Sequence, residues 1–447
     1  MERNVILAFL KKIVQTTFSG IALCSLAQGS FAKESLPYTP YDLCEGVKNV
    51  NNKEAVKMPI ISKKPEVGVP YIDPVFGTKI MRISDSAKAH TDVIKPVYST
   101  VQAWNADESL LFLWHRGEGH YLYDGKTYKP IKLLNIVPSD LEEVFWDPII
   151  PHILFVFEYD KIGSKLIKYD VKTDEKTVIK DFVAEGICKT GKIINDANMI
   201  SLEGRKIGMR CYERDASTMM VYSIDEDTFS PIKTNKELGV HGYTALYTSL
   251  SGKTYFANEK IFDTNLKFQY RLNVAGGEHS TLGQFADRSD GFFAVAFDPA
   301  PEDCENGPGI GMLITHDFKT RQCHEIFGKG TGFPYPPGSV HLSPLSFHNP
   351  GWVAISAVGY ETTLPLGEDQ PLFHQEIIVS NSDHKNHRYC RVGHNRSWGK
   401  YGKVGYFAEP HVTLSRDGRR MLFASDWHDS GAVDTYVIEL PVYLKGK

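Results

Sequence analysis

Three histidines occupy similar settings in the second half of this sequence: His279 in Gly277-Glu-His-Ser, His341 in Ser339-Val-His-Leu-Ser and His411 in Glu409-Pro-His-Val-Thr-Leu-Ser. Each precedes a polar turn and an apolar, β-prone run, the turns opening at Ser289, Asn349 and Arg416. Tyr98, ahead of Gln102-Ala-Trp-Asn, has a comparable setting. Matching positions in successive repeats bring side chains to one place, and two chemistries suit this set. In the first, neutral imidazoles of His341 and His411 join the Glu409 carboxylate as a mixed nitrogen and oxygen donor set for one divalent transition metal, Mn, Fe, Ni or Zn. In the second, one histidine or tyrosine removes a proton α to a carboxylate while a metal or an arginine neutralises the developing charge. A structural reading, with hydrogen bonds between repeats and no cofactor, stands beside both. A second group, His394, Arg396 and Trp398, contains the residue types that grip a sugar acid, arginine pairing with carboxylate and aromatics covering the ring face. The same residues equally suit ion pairing and packing.

The elements that would position these groups are strands. A polar turn followed at once by an apolar run occurs seven times, before Leu110–Trp114, Ile153–Phe157, Ile207–Cys211, Thr254–Ala257, Phe292–Phe297, Trp352–Ala357 and Met421–Ser425. An Asp-x-x-Thr turn follows several of them, at Asp124, Asp170, Asp225 and Asp317, with aspartate suited to tight turns and threonine expected to return the chain to strand. Units of this kind at a period of roughly 40 to 65 residues describe blades, since one small sheet cannot bury both faces without neighbours. The fold expected is all-β, a seven-bladed β-propeller forming a single ring closed by strands from both termini. Lys79–Ile83 and the strand from Asp434 to Leu440 are the expected closure. A long β-sandwich is the competing architecture.

Composition fits a large β protein: 447 residues, 42% hydrophobic and 12% aromatic, with 37 Gly and 24 Pro for turns. A net charge of −4 with scattered signs argues against a nucleic-acid surface, which needs clustered Lys and Arg. Neither a Gly-x-Ser-x-Gly elbow nor a Walker pattern occurs. Arg3, Lys11 and Lys12, the apolar Ile13–Leu26 and Ser30-Phe31-Ala32 read as a secretory signal peptide over residues 1–32, cleaved after Ala32. Residues 33–69 then form an extension and 70–447 the ring, with no transmembrane segment in the mature chain. Without Cys24, six cysteines remain, an even set that suggests disulfides in an exported protein. Cys188 with Cys211 and Cys304 with Cys323 each bracket a hairpin, and Cys44 with Cys390 would tie the extension to the last blades. The location expected is periplasmic or secreted.

The segments Tyr98-Ser-Thr-Val-Gln-Ala-Trp-Asn-Ala-Asp, His341-Leu-Ser with Asn349-Pro-Gly-Trp-Val, and Glu409 to Trp427 resemble secreted TolB-like β-propeller proteins. That superfamily includes the oligogalacturonate lyases and the propeller ulvan lyases. Resemblance to the former implies His279 as base and His341 and His411 as metal ligands, with Glu409 where a further ligand histidine would stand and Tyr406 near an expected glutamine. Resemblance to the latter implies a His/Tyr acid–base pair with a nearby arginine, with Tyr98 and Tyr243 as the candidate tyrosines. Two function classes follow. One is an exported polysaccharide lyase cleaving uronic-acid-containing glycans by β-elimination at the central channel. The other is a non-catalytic propeller binding a protein or glycan in the cell envelope.

Overall fold

The computed structural model describes residues 40–48, 53–160, 163–189, 193–194, 200–212, 217–241, 245–274, 279–359 and 371–444. The signal-peptide reading of residues 1–32 and the candidate Tyr243 therefore lie outside the described residues.

Among the described residues, seven antiparallel sheets follow one another along the chain, each running from an inner strand to an outer one. Every run foreseen from the sequence is the second strand of its blade, as with Leu110–His115, Asp290–Ala296 and Arg420–Ser425. These strands are apolar without alternation because neighbouring blades cover both faces. Leu111, Phe112 and Leu113 are all fully buried, and each such side chain contributes about 1.5–3 kcal/mol by leaving water. The outer strands of blades 1, 2 and 4 are largely exposed, whereas those of blades 5 and 6 are buried. The outer strand of blade 2, Lys176–Asp181, carries two lysines, Lys176 and Lys180, among its polar residues, which discourages pairing with another chain.

The Asp-x-x-Thr turns join third to fourth strands, and the aspartate works through its side chain. Asp124 Oδ1 accepts from the backbone N–H groups of Lys126 and Thr127, and Asp317 Oδ1 from those of Lys319 and Thr320. At Asp225 the threonine itself starts the fourth strand, after left-handed Asp227 (φ 51°), but in the other three turns the left-handed residue is not the first aspartate and threonine does not itself restore the strand. That step falls one residue later, on Tyr128 (φ 60°), Asp174 (φ 61°) and Arg321 (φ 61°).

Closure occurs in blade 7. Lys79–Arg82 pairs with Asp434–Glu439, register Ile80 to Ile438, and a further strand, Pro70–Ile72, makes this sheet five-stranded. Buried Gln102 ties the ring at its centre, donating to the carbonyls of Leu345 (3.1 Å) and Leu414 (3.0 Å). The coil before Pro70 packs over the last two blades: Arg396 donates to Pro59 O (2.7 Å), Trp427 to Ile61 O (2.9 Å), and Lys64 pairs with Asp434 (2.9 Å). Disulfides join Cys44 to Cys390, Cys188 to Cys211 and Cys304 to Cys323, the two hairpin pairings and the tie from the extension to the last blades that were expected. Among the described residues, no helix is long and apolar enough to cross a membrane.

Candidate active site

His279 opens the inner strand of blade 5 (His279–Gln284), His341 lies on that of blade 6 (Val340–Ser343), and His411 lies two residues before that of blade 7 (Thr413–Leu414). Adjacent blades thus deliver their rings to one place. The His279 and His341 rings stack at 4.1 Å, and His341 meets His411 edge-on at 4.2 Å. Two residues here hold left-handed backbone although neither is glycine, Ser339 (φ 53°) and His411 (φ 42°). Such strain persists where the surroundings enforce it, and here it sits beside the converging rings.

Glu409 faces two of these histidines. Its Oε2 is 3.6 Å from His341 Nε2 and 3.9 Å from His411 Nε2, too far for hydrogen bonds, and neither nitrogen has another partner. Glu409 Oε1 accepts from the Ser339 hydroxyl at 2.9 Å. Gly399 (φ 52°) lets the preceding loop close on this carboxylate, since a Cβ there would stand 3.3 Å from Glu409 Cγ and 2.8 Å from Val358 Cγ2. Burial holds His341 and His411 well below the ordinary histidine value, reinforced by Lys95 and the neighbouring imidazoles, so both are neutral. Burial likewise raises Glu409, against the Ser339 hydroxyl.

The donor set fits a divalent transition metal. It comprises two neutral imidazole nitrogens and a carboxylate oxygen, all within 4.8 Å of one another. Ligand atoms about 2.1 Å from one tetrahedral ion lie about 3.4 Å apart, slightly less than the 3.6 and 3.9 Å found here.

Sequence reasoning missed Lys95. It ends the inner strand of blade 1 (Ile94–Lys95), is 2% exposed, and its Nζ contacts His411 Nδ1. Burial lowers its ammonium to about 7, with Glu142 and Glu409 pulling the other way. The available signal was a charged residue inside the apolar run Val93-Ile-Lys-Pro-Val97. Tyr98 also joins the cluster, its ring 4.9 Å from His411 and 5.6 Å from His341. Tyr406 packs 5.1 Å from His411, and Lys95 Nζ stands 5.5 Å from the centre of its ring. Tyr406 is 48% exposed, and Tyr98 and His279 are partly exposed. These three form the solvent-facing rim of an otherwise buried group.

The second group does not join the cluster. Arg396 is fully buried, bound to Pro59 O and 3.4 Å from His428 Nε2. His394 is 1% exposed, packed on Phe76 (4.9 Å) with Nδ1 3.5 Å from Asp73 Oδ2. Residues of the segment preceding the closing strand cover both, so neither stands at a channel rim. Trp398 is half-buried, its backbone N–H donating to Asp426 Oδ1 at 3.0 Å, and it begins the loop that leads to Tyr406 and Glu409.

No protein-family model and no curated protein sequence matches the chain. Solved structures do. An oligogalacturonate lyase in complex with manganese superposes with a TM-score of 0.56 at 14% identity, covering 83% of this chain and 96% of the lyase. An oligogalacturonate lyase from Vibrio parahaemolyticus gives 0.51 at 12% identity, covering 86% and 99%. The chain is a seven-bladed β-propeller with the fold of these lyases.

Proposed function

We propose that this chain is an exported lyase that cleaves uronic-acid-containing oligosaccharides or polysaccharides by β-elimination at the histidine cluster. The observation that carries the reading is the convergence of His279, His341 and His411 with Glu409, two of the imidazoles keeping Nε2 free of hydrogen bonds. The fold shared with two oligogalacturonate lyases supports it, and the manganese of one of them supports a metal here. Three disulfides fit an oxidising, periplasmic or extracellular location.

His341, His411 and Glu409 would hold the divalent metal, which when bound neutralises the uronate carboxylate and so acidifies the adjacent C–H. His279 is the base. Its Nδ1 donates to Val340 O, which fixes the tautomer and leaves Nε2 as proton acceptor. As Nε2 takes the proton α to the carboxylate, the C–H electron pair forms the new double bond, and the β C–O bond breaks with its electrons going to the departing oxygen. Tyr98, whose ring lies 5.6 Å from that of His341, would protonate that oxygen.

His279→Ala should lower turnover of an acidic oligosaccharide by about 10²–10⁴-fold, followed by the ultraviolet absorbance of the unsaturated product. Bound metal should remain. Undiminished turnover would remove His279 from the mechanism. One observation favours a second reading, a propeller that binds an acidic glycan without cleaving it: a lysine ammonium against His411 opposes a cation in the same cluster. Metal-free protein that retained an acidic glycan without turnover would establish that reading.

A further inference from the structure

A second group of metal-ligand type lies away from the channel, at the outer boundary of blades 5 and 6. Glu305 and His324 each follow a half-cystine of the Cys304–Cys323 disulfide, and the Glu305 N–H donates to Cys323 O at 3.1 Å. The crosslink therefore fixes both residues. His384 comes from the turn between the third and fourth strands of blade 6, shaped by Asp383 Oδ1 accepting from Lys385 N (2.9 Å) and Asn386 N (3.0 Å).

Glu305 Oε2 stands 2.9 Å from His324 Nδ1 and 3.4 Å from His384 Nε2, and the three atoms lie within 4.8 Å of one another. The closer approach is off the line of a hydrogen bond, leaving the buried His324 Nδ1 unsatisfied. A donor atom that is nine-tenths buried, unsatisfied and adjacent to two further ligand atoms is the arrangement an ion completes. Burial also holds His324 below its ordinary value, so its ring is a neutral ligand.

We infer that Glu305, His324 and His384 bind a divalent transition metal, with zinc the best match to two imidazoles and one carboxylate, and that the ion braces blade 5 against blade 6. The two rings lie parallel at 3.8 Å, so their lone pairs do not yet converge. His384 makes the adjustment. It is 21% exposed on its side chain and borders a hollow of about 540 Å³, shared with Lys53, Phe333 and His387, into which the ring turns. Three protein ligands leave the remaining position to water, and Glu305, 47% exposed, keeps that side open.

The test compares zinc binding by the oxidised wild-type chain with Glu305→Gln and His384→Ala, using titration calorimetry with Zn²⁺ alone. Both side chains reach solvent and neither touches the channel cluster, so the variants keep the fold and any channel metal. Each variant should bind one zinc equivalent fewer than the wild type, or bind that equivalent at least tenfold more weakly. Saturating zinc should also raise the wild-type Tm by more than it raises that of either variant, because a ligand that binds only the folded state stabilises it. Equal stoichiometry and affinity in all three proteins would overturn the site. So would an identical zinc-dependent Tm shift.

Discussion

Lys95→Met probes the one buried cation of the channel cluster. Its ammonium falls from the ordinary 10.5 to about 7 on burial, so keeping it charged there costs on the order of 5 kcal/mol. Between pH 7 and 10.5 the unfolded chain binds this proton and the native chain does not, so stability rises with pH across that window, and below pH 7 the full cost is present. Methionine fills similar space without charge. The variant should therefore be more stable than wild type by about 5 kcal/mol at pH 6 and only about 2 kcal/mol at pH 9. Urea unfolding at the two pH values measures both figures. Metal binding supplies a second readout. A histidine that ligates through Nε2 donates its Nδ1–H to an acceptor, and Lys95 accepts only as a neutral amine. With half of the lysine neutral near pH 7, manganese affinity should rise about tenfold from pH 6 to 8 in wild type and stay nearly flat in the variant. Equal stability at pH 6 would show that Lys95 is not a buried ammonium. Parallel metal-affinity profiles would show that it does not control the cluster.

Two further predictions concern the frame. Arg391 and Glu376 form a two-pronged pair at 0% and 1% side-chain exposure, with Arg391 also donating to Glu54 O at 2.6 Å. Glu376→Ala strands a buried guanidinium and should cost about 3–5 kcal/mol in urea unfolding; a loss below 1 kcal/mol would show that Glu54 O and water suffice. Replacing Cys44 and Cys390 together by alanine opens the crosslink that spans 346 residues and should cost about 2–4 kcal/mol. Limited proteolysis should then cut first in the coil before Pro70, and an unchanged digestion pattern would contradict the anchoring role of this bond.

The ring was legible because its signals are local and repeated. Each polar turn and apolar run is complete within about a dozen residues, and blade stacking makes the run continuous rather than alternating. The placement of His279, His341 and His411 on successive blades followed from the same repetition, since each lies a short way before an equivalent turn and so near the start of an inner strand. Lys95 escaped it because blade 1 departs from the pattern. Its inner strand is only Ile94–Lys95, and residues 96–103 intervene before Trp104 pairs with Leu111, so Tyr98, nearer the turn at Asn105, was singled out instead. Arg396 and His394 were misplaced for a different reason. Their covers, Pro59 and Asp73, lie more than 300 residues away in sequence, and nothing near Arg396 announces them. The turn chemistry was half legible: aspartate was identified, but which residue becomes left-handed depends on how the hairpin closes.

Two charges of the cluster also answer one another electrostatically. A carboxylate at Glu409, where the resemblance implies a neutral histidine, adds one negative charge, and Lys95 supplies one positive charge across His411. With His341 and His411 neutral, the cluster balances without any metal. That state offers no net positive charge to a uronate. If Lys95 gives up its proton and a dication takes its place against Glu409, the cluster carries one net positive charge, which matches one substrate carboxylate. The lyase and the non-catalytic readings therefore differ by the proton on Lys95 and the ion that replaces it. Substrate affinity should follow metal occupancy, and an acidic oligosaccharide bound equally well with and without metal would show that its carboxylate is recognised elsewhere.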